Sequence, residues 1–138
     1  MAGFLARIQR GELKLPPIGL TLGCSIIRIA EDNSELECGY EIGQQFLNPV
    51  GQVQGGILCA MLDDVTSLLI VNVLEKGAGI ATLSLNTSFI RPGVAGIFRG
   101  VSKLVRQGRE ICNVTGELWQ EGKLIATATA VSKVMPAP

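Results

Sequence analysis

The 138-residue chain contains no histidine. That absence removes Ser-His-Asp and Cys-His nucleophiles, and any zinc site that needs imidazole. Base or nucleophile chemistry then falls to carboxylates, and two of them stand where carboxylates are rare. Asp63 and Asp64 interrupt the most apolar stretch of the sequence, between Ile57-Leu58-Cys59-Ala60-Met61-Leu62 and Val65-Thr66-Ser67-Leu68-Leu69-Ile70-Val71. Ionised side chains are seldom buried without partners, because desolvation is costly. Adjacent positions on a helix differ by ~100° in direction, so the pair cannot share one environment. One is expected to reach solvent or a basic partner while the other faces inward. Asp63, Thr66 and Ser67 fall at i, i+3 and i+4, a polar patch one turn long. Gly56, Cys59 and Ala60 precede it and Ile70 and Val71 follow. A solvated stripe would continue further, so Asp63 reads as ligand-facing.

Just before this segment, Gly55-Gly56 leaves backbone N–H groups uncovered by side chains. They stand at the helix end that carries positive partial charge, where a carbonyl or phosphate oxygen could approach. Paired glycines also serve simply as a tight entry into a helix, so the signal alone is weak. Arg106 and Arg109 bracket the Gln107-Gly108 turn, from which two guanidinium groups could reach one phosphate. As ordinary turn residues they would look the same. Cys24, Cys38, Cys59 and Cys112 show no CxxC spacing and lie among apolar or small neighbours. They read as buried free thiols rather than metal or redox ligands.

The elements that must hold these residues follow from patterning. The length suits one domain spanning 1–138, since two would leave each half without a core. Hydrophobic residues at 47% and charged residues at 17% suit a water-soluble globule rather than a disordered chain. Twelve basic and twelve acidic residues cancel, which argues against nucleic acid or an anionic membrane as partner. No apolar span reaches the ~20 residues of a membrane crossing. The opening Met1-Ala2-Gly3-Phe4-Leu5-Ala6-Arg7 meets charge too early for a secretion signal, so the cytoplasm is expected. Residues 2–10 suit a short amphipathic helix that Pro16-Pro17 would end. Strands are predicted over 20–30 and 35–42, split by the turn Glu31-Asp32-Asn33-Ser34. Leu83, Leu85 and Phe89 alternate with Ser84, Asn86 and Ser88, the period of a strand that Arg91-Pro92-Gly93 closes. Further strands are predicted over 95–106, 109–119 and 123–134, joined by Gln107-Gly108 and Glu121-Gly122. Strands joined by tight turns should be antiparallel neighbours. Residues 54–76 form the exception, a helix too apolar for one wet face. A sheet curled around it, an α+β layout, is the architecture expected.

The run Asn48-Pro49-Val50-Gly51-Gln52-Val53-Gln54-Gly55-Gly56, with Asp63 eight residues after Gly55, resembles the hotdog-fold acyl-CoA thioesterases. It is most similar to the group typified by the phenylacetate-pathway enzyme. Ala81-Thr82-Leu83-Ser84-Leu85-Asn86 and Phe89-Ile90-Arg91-Pro92 match that group's third strand, so the likeness covers residues 48–92. One position departs: the family has His-Gly-Gly, and Gln54 replaces the histidine here. A Gln amide can orient neighbours but carries no proton at neutral pH.

The resemblance implies that the Gly55 N–H polarises a thioester carbonyl, and that Asp63 attacks it or activates water. It implies that the Asn48 amide places the thioester or the water, and that the Ser67 hydroxyl assists. Thr82 matches a polar strand residue near the reacting centre. Phe89, Arg91, Pro92 and Gly93, with Arg106, Gln107, Gly108 and Arg109, match regions that hold coenzyme A. No metal or other cofactor is implied.

Geometry adds a constraint. Gly55 and Asp63 would stand ~12 Å apart along one helix, whereas a carbonyl must lie ~3 Å from its donor and close to the attacking atom. Two antiparallel copies about a two-fold axis would bring Gly55 of one against Asp63 of the other. An obligate homodimer with two sites is therefore expected, and the family's habit adds a dimer of dimers. The alternative is a module on the same fold that binds acyl-CoA without hydrolysing it.

Overall fold

The computed structural model describes residues 3–138. Two short helices, α1 (Phe4–Gln9) and α2 (Pro17–Thr21), precede strands β1 (Cys24–Ile29) and β2 (Glu35–Ile42). A loop with a single 3-10 turn (Gln44–Phe46) leads into the long helix α3 (Gly55–Val71). Strands β3 (Gly79–Phe89), β4 (Gly96–Gln107), β5 (Ile111–Gln120) and β6 (Lys123–Met135) complete the chain. The six strands form one antiparallel sheet in the order β1-β2-β4-β5-β6-β3. It curls around α3, which touches β2 through β6.

Strand alternation decides which side chains meet the helix. Leu36, Cys38, Tyr40 and Ile42 of β2, Phe98 of β4, and Cys112, Val114 and Leu118 of β5 are buried with Leu58, Met61, Leu62, Val65 and Leu69 of α3. On β6 the inward residues are Ala126, Ala128 and Ala130, while Thr127, Thr129 and Val131 face outward. Small residues there bring the helix close to the sheet. Gly116 of β5 does the same, since a Cβ on it would stand 3.0 Å from Thr66 Cγ2. The Glu121-Gly122 turn has φ of 50° and 75°, the left-handed pair that a two-residue hairpin of this twist requires.

Several boundaries differ from the sequence expectation. The strand expected over 20–30 starts only at Cys24. Pro17 at the first helical position fixes φ for a helical turn, so α2 claims residues 17–21. The helix expected to reach residue 76 stops at Val71. There Asn72 turns its carboxamide aside: Oδ1 accepts the Leu5 N–H at 3.0 Å and Nδ2 donates to Asn33 Oδ1 at 3.0 Å. The first helix covers residues 4–9 of the expected 2–10, and residue 2 lies outside the described residues. Adjacency through tight turns holds for β4, β5 and β6. The strand closed by Arg91-Pro92-Gly93 does not pair with β4, its successor, but with β6, at the sheet's far edge. Cys38 and Cys112 are buried as expected, whereas Cys24 and Cys59 are only half-buried.

Candidate active site

Along one flank of α3, Gly55, Cys59, Asp63 and Ser67 recur at every fourth position, and this flank faces β3. A Cβ on Gly55 would touch the Phe89 ring at 3.4 Å. The Cys59 thiol donates to Thr87 Oγ1 at 3.5 Å. Asp63 Oδ1 accepts from Thr82 Oγ1 at 2.9 Å and from Ser67 Oγ at 3.5 Å. Asp63 is half-buried, and these two hydroxyls donate to its carboxylate. Thr66, expected beside them, is turned into the core. Its hydroxyl donates to the carbonyls of Leu62 and Asp63 at 2.8 and 3.2 Å. The polar patch is therefore Asp63 and Ser67, completed by Thr82 from the strand.

Asp64 lies on a different flank, ~100° round the helix, under β1 and β2. Tyr40, whose phenol is fully covered, donates to Asp64 Oδ2 at 2.7 Å. Burial pushes the Asp64 carboxyl above the usual carboxylate range, against opposing hydrogen bonds from Tyr40 and Cys24. Burial likewise raises the Tyr40 hydroxyl well above its ordinary value. Among the described residues, neither aspartate has the basic partner that the sequence left open; hydroxyl donors serve both. Asp64 is the inward-facing member of the pair.

The start of α3 carries no side-chain cap: Gln54 occupies the N-cap position, makes no capping bond and is exposed. The N–H groups of Gly55 and Gly56 fall in the first turn, where no helical carbonyl can take them. A groove of about 480 Å³ opens beside them, lined by Asn48, Gln52, Gly55, Leu58, Phe89, Arg91 and Pro92, among others. Asn48 Oδ1 accepts the N–H groups of Val50 and Gln52 at 3.1 and 3.0 Å, closing the loop on itself. Only its amide Nδ2 is left to serve a ligand. Arg91 donates to the Leu124 carbonyl at 3.0 Å. Gly93 stands apart from the groove wall. It is buried, its carbonyl accepts from Val53 N–H at 2.9 Å, and a Cβ on it would meet Phe98 at 2.7 Å. Its place is loop packing.

The second expected cluster lies elsewhere. Arg106, Gly108 and Arg109 line a groove of about 430 Å³ at the β4–β5 turn with Glu110 and Ile111, while exposed Gln107 ends β4. Strand register places it: Gln107 pairs with Cys112, Cys112 with Ser132, and Ser132 with Thr82. Phe89 instead pairs with Ala126, Ala126 with Leu118, and Leu118 with Gly100. The basic turn thus sits at the Asp63–Thr82 end of the sheet, and the Phe89–Pro92 segment at the Gly55 end. One chain does not bring them together. Cys59 and Tyr40 were missed from the sequence. Position i+4 from Gly55 pointed to the first; only the tertiary fold reveals the second.

Residues 45–132 match the family described as the acyl-CoA thioesterase N-terminal domain. Among solved structures, a phenylacetic acid degradation-related protein of Ralstonia eutropha JMP134 is 52% identical, with a TM-score of 0.90 over 94% of this chain and 98% of that one. The Escherichia coli PaaI protein, from the phenylacetic acid degradation operon, is 19% identical, with a TM-score of 0.82 over 96% and 94% of the two chains. The thioesterase HI1161 of Haemophilus influenzae is 23% identical, with a TM-score of 0.77 over 85% and 81%. By its fold and its matched residues, this chain belongs to the acyl-CoA thioesterase N-terminal domain family, a hotdog-fold thioester hydrolase.

Proposed function

We propose that the protein hydrolyses acyl-CoA thioesters to a free acid and coenzyme A, at two composite sites in a homodimer. The observation that carries this reading is the spacing on α3. Gly55 lies beside Phe89 and Asp63 beside Thr82, on one flank and eight residues apart. That is ~12 Å, too far for both to act on one carbonyl. The flank borders β3, an edge strand whose residues 81–84 and 88–89 are exposed. Unpaired backbone groups along such an edge favour addition of another strand. An antiparallel second copy there sets Gly55 against Asp63 of the partner subunit.

In that arrangement the Gly55 N–H receives the thioester oxygen as negative charge develops on it. Such a donor is typically worth ~2.7–4 kcal/mol in the transition state. The partner subunit's Asp63, steadied by Thr82 and Ser67 hydroxyls, attacks the carbonyl carbon or takes a proton from the attacking water. The carbon–sulfur bond then breaks and coenzyme A leaves as the thiol. Asn48 Nδ2 serves the Gly55 groove to orient the thioester or the water, and Gln54, whose backbone carbonyl accepts the Ile57 N–H at 2.8 Å, moves no proton. The same two-fold operation carries the Arg106–Arg109 turn of one subunit toward the Phe89–Pro92 segment of the other. Phosphates of coenzyme A would lie between them. Pairing of two such dimers into a tetramer follows the family habit.

A panel of acyl-CoAs with a thiol reagent tests the reading. Saturable thiol release is expected with at least one substrate. Saturable binding with no release from any would show a module that binds acyl-CoA without hydrolysing it.

A further inference from the structure

The dimer reading, on which this inference rests, fixes a symmetry axis as well as two sites. An axis that exchanges Gly55 with the partner subunit's Asp63 must pass the residue midway between them on α3, which is Cys59. Strand β3, read from the same pair of residues, gives a consistent axis. Gly55 is level with Phe89 and Asp63 with Thr82, so the strand's midpoint falls at Leu85 and Asn86. Cys59 lies beside that midpoint, its Sγ 3.5 Å from Thr87 Oγ1. Helix and strand name the same place.

We infer that Cys59 faces its own symmetry mate across the dimer axis, so that a pair of thiols forms the wall shared by the two sites. Cys59 stands ~6 Å along the helix from both Gly55 and Asp63. It is only half-buried within one chain, so part of its surface is left uncovered there. A bulky group at this one position would therefore press on the interface and on both sites together.

The probe is an ethylene-bridged bismaleimide added to the full-length protein. Each thiol adds across one maleimide double bond, the proton ends on the adjacent carbon, and nothing leaves. A covalent dimer joined Cys59 to Cys59, mapped by mass spectrometry, is expected, and Cys59→Ser should give none. Sedimentation supplies a second measurement: Cys59→Trp should weaken dimerisation roughly tenfold or more by overpacking the axis, and Cys59→Ser should not. Three results would each overturn the inference in a protein that sediments as a dimer. They are no cross-link, a link through another cysteine, and Cys59→Trp dimers as tight as the parent. A protein that is active as a monomer would instead overturn the dimer reading itself.

Discussion

Asp63 and Asp64 are neighbours in sequence, yet the fold gives them opposite surroundings. Asp64 looks under β1 and β2, where a fully covered Tyr40 donates to it and burial pushes its carboxyl upward. Asp63 looks toward the edge strand β3, where Thr82 and Ser67 donate to it. The first environment is closed within one chain. The second is open on the side where the sheet ends, and the groove at Gly55 opens along the same flank. A rotation of ~100° about the helix separates a carboxylate closed in beneath the sheet from one that faces the open edge.

The largest expected effect breaks the open side. Asp63→Asn keeps the shape and the Oδ1 acceptor that Thr82 and Ser67 use but loses the charge, and kcat should fall by roughly 10²–10⁴ with the melting temperature little changed. A mutant with near-parental turnover would remove Asp63 from the mechanism. Gly55→Ala comes next. The nearest side chain its Cβ would meet is the Phe89 ring, at an ordinary contact distance of 3.4 Å, so the fold should tolerate it. Crowding at the N–H should nonetheless cost about 10²–10³ in kcat, read beside an unchanged circular dichroism melt.

The closed side responds in stability instead. Tyr40→Phe leaves the half-buried Asp64 carboxyl without its phenolic donor, and should cost about 1–3 kcal/mol in denaturant unfolding. Its kcat should change far less than that of Asp63→Asn. Thr82→Val, on the open side, removes one donor to Asp63 and should lower kcat roughly tenfold or less. Asp64→Asn should be the mildest. Because the folded carboxyl titrates above its unfolded counterpart, its contribution to stability is complete at low pH and fades as pH rises through the folded value. The variant, which cannot ionise, should match the parent near pH 3 and gain on it toward pH 8. Melting temperatures across that range check the sign, and a variant that instead loses ground with rising pH would contradict it.

The sequence revealed the curled sheet and its central helix because alternation on β3 and β6 and the apolar run of α3 are strong periodic signals. It also singled out Asp63, since a charge amid apolar residues needs a reason. It did not reveal that Thr66 turns inward, because i+3 spacing places a residue near a face without deciding what covers it. Gly116, on a strand distant in sequence, makes that decision by admitting the Thr66 methyl. The order of β3 beside β6 was hidden for a related reason. Pro92 ends a strand but says nothing about which edge the strand joins. Asp64 and Tyr40 are 24 residues apart, and no local pattern links them.

The division of each site between two chains is tested most directly by mixing. Gly55→Ala and Asp63→Asn proteins, each inactive alone, should be unfolded together and refolded at equal concentration. Half the dimers would then be mixed, each with one intact site, and activity should recover to about one quarter of the parent's. No recovery in a preparation shown to contain mixed dimers would contradict the account, because the donor and the acid would then belong to one chain.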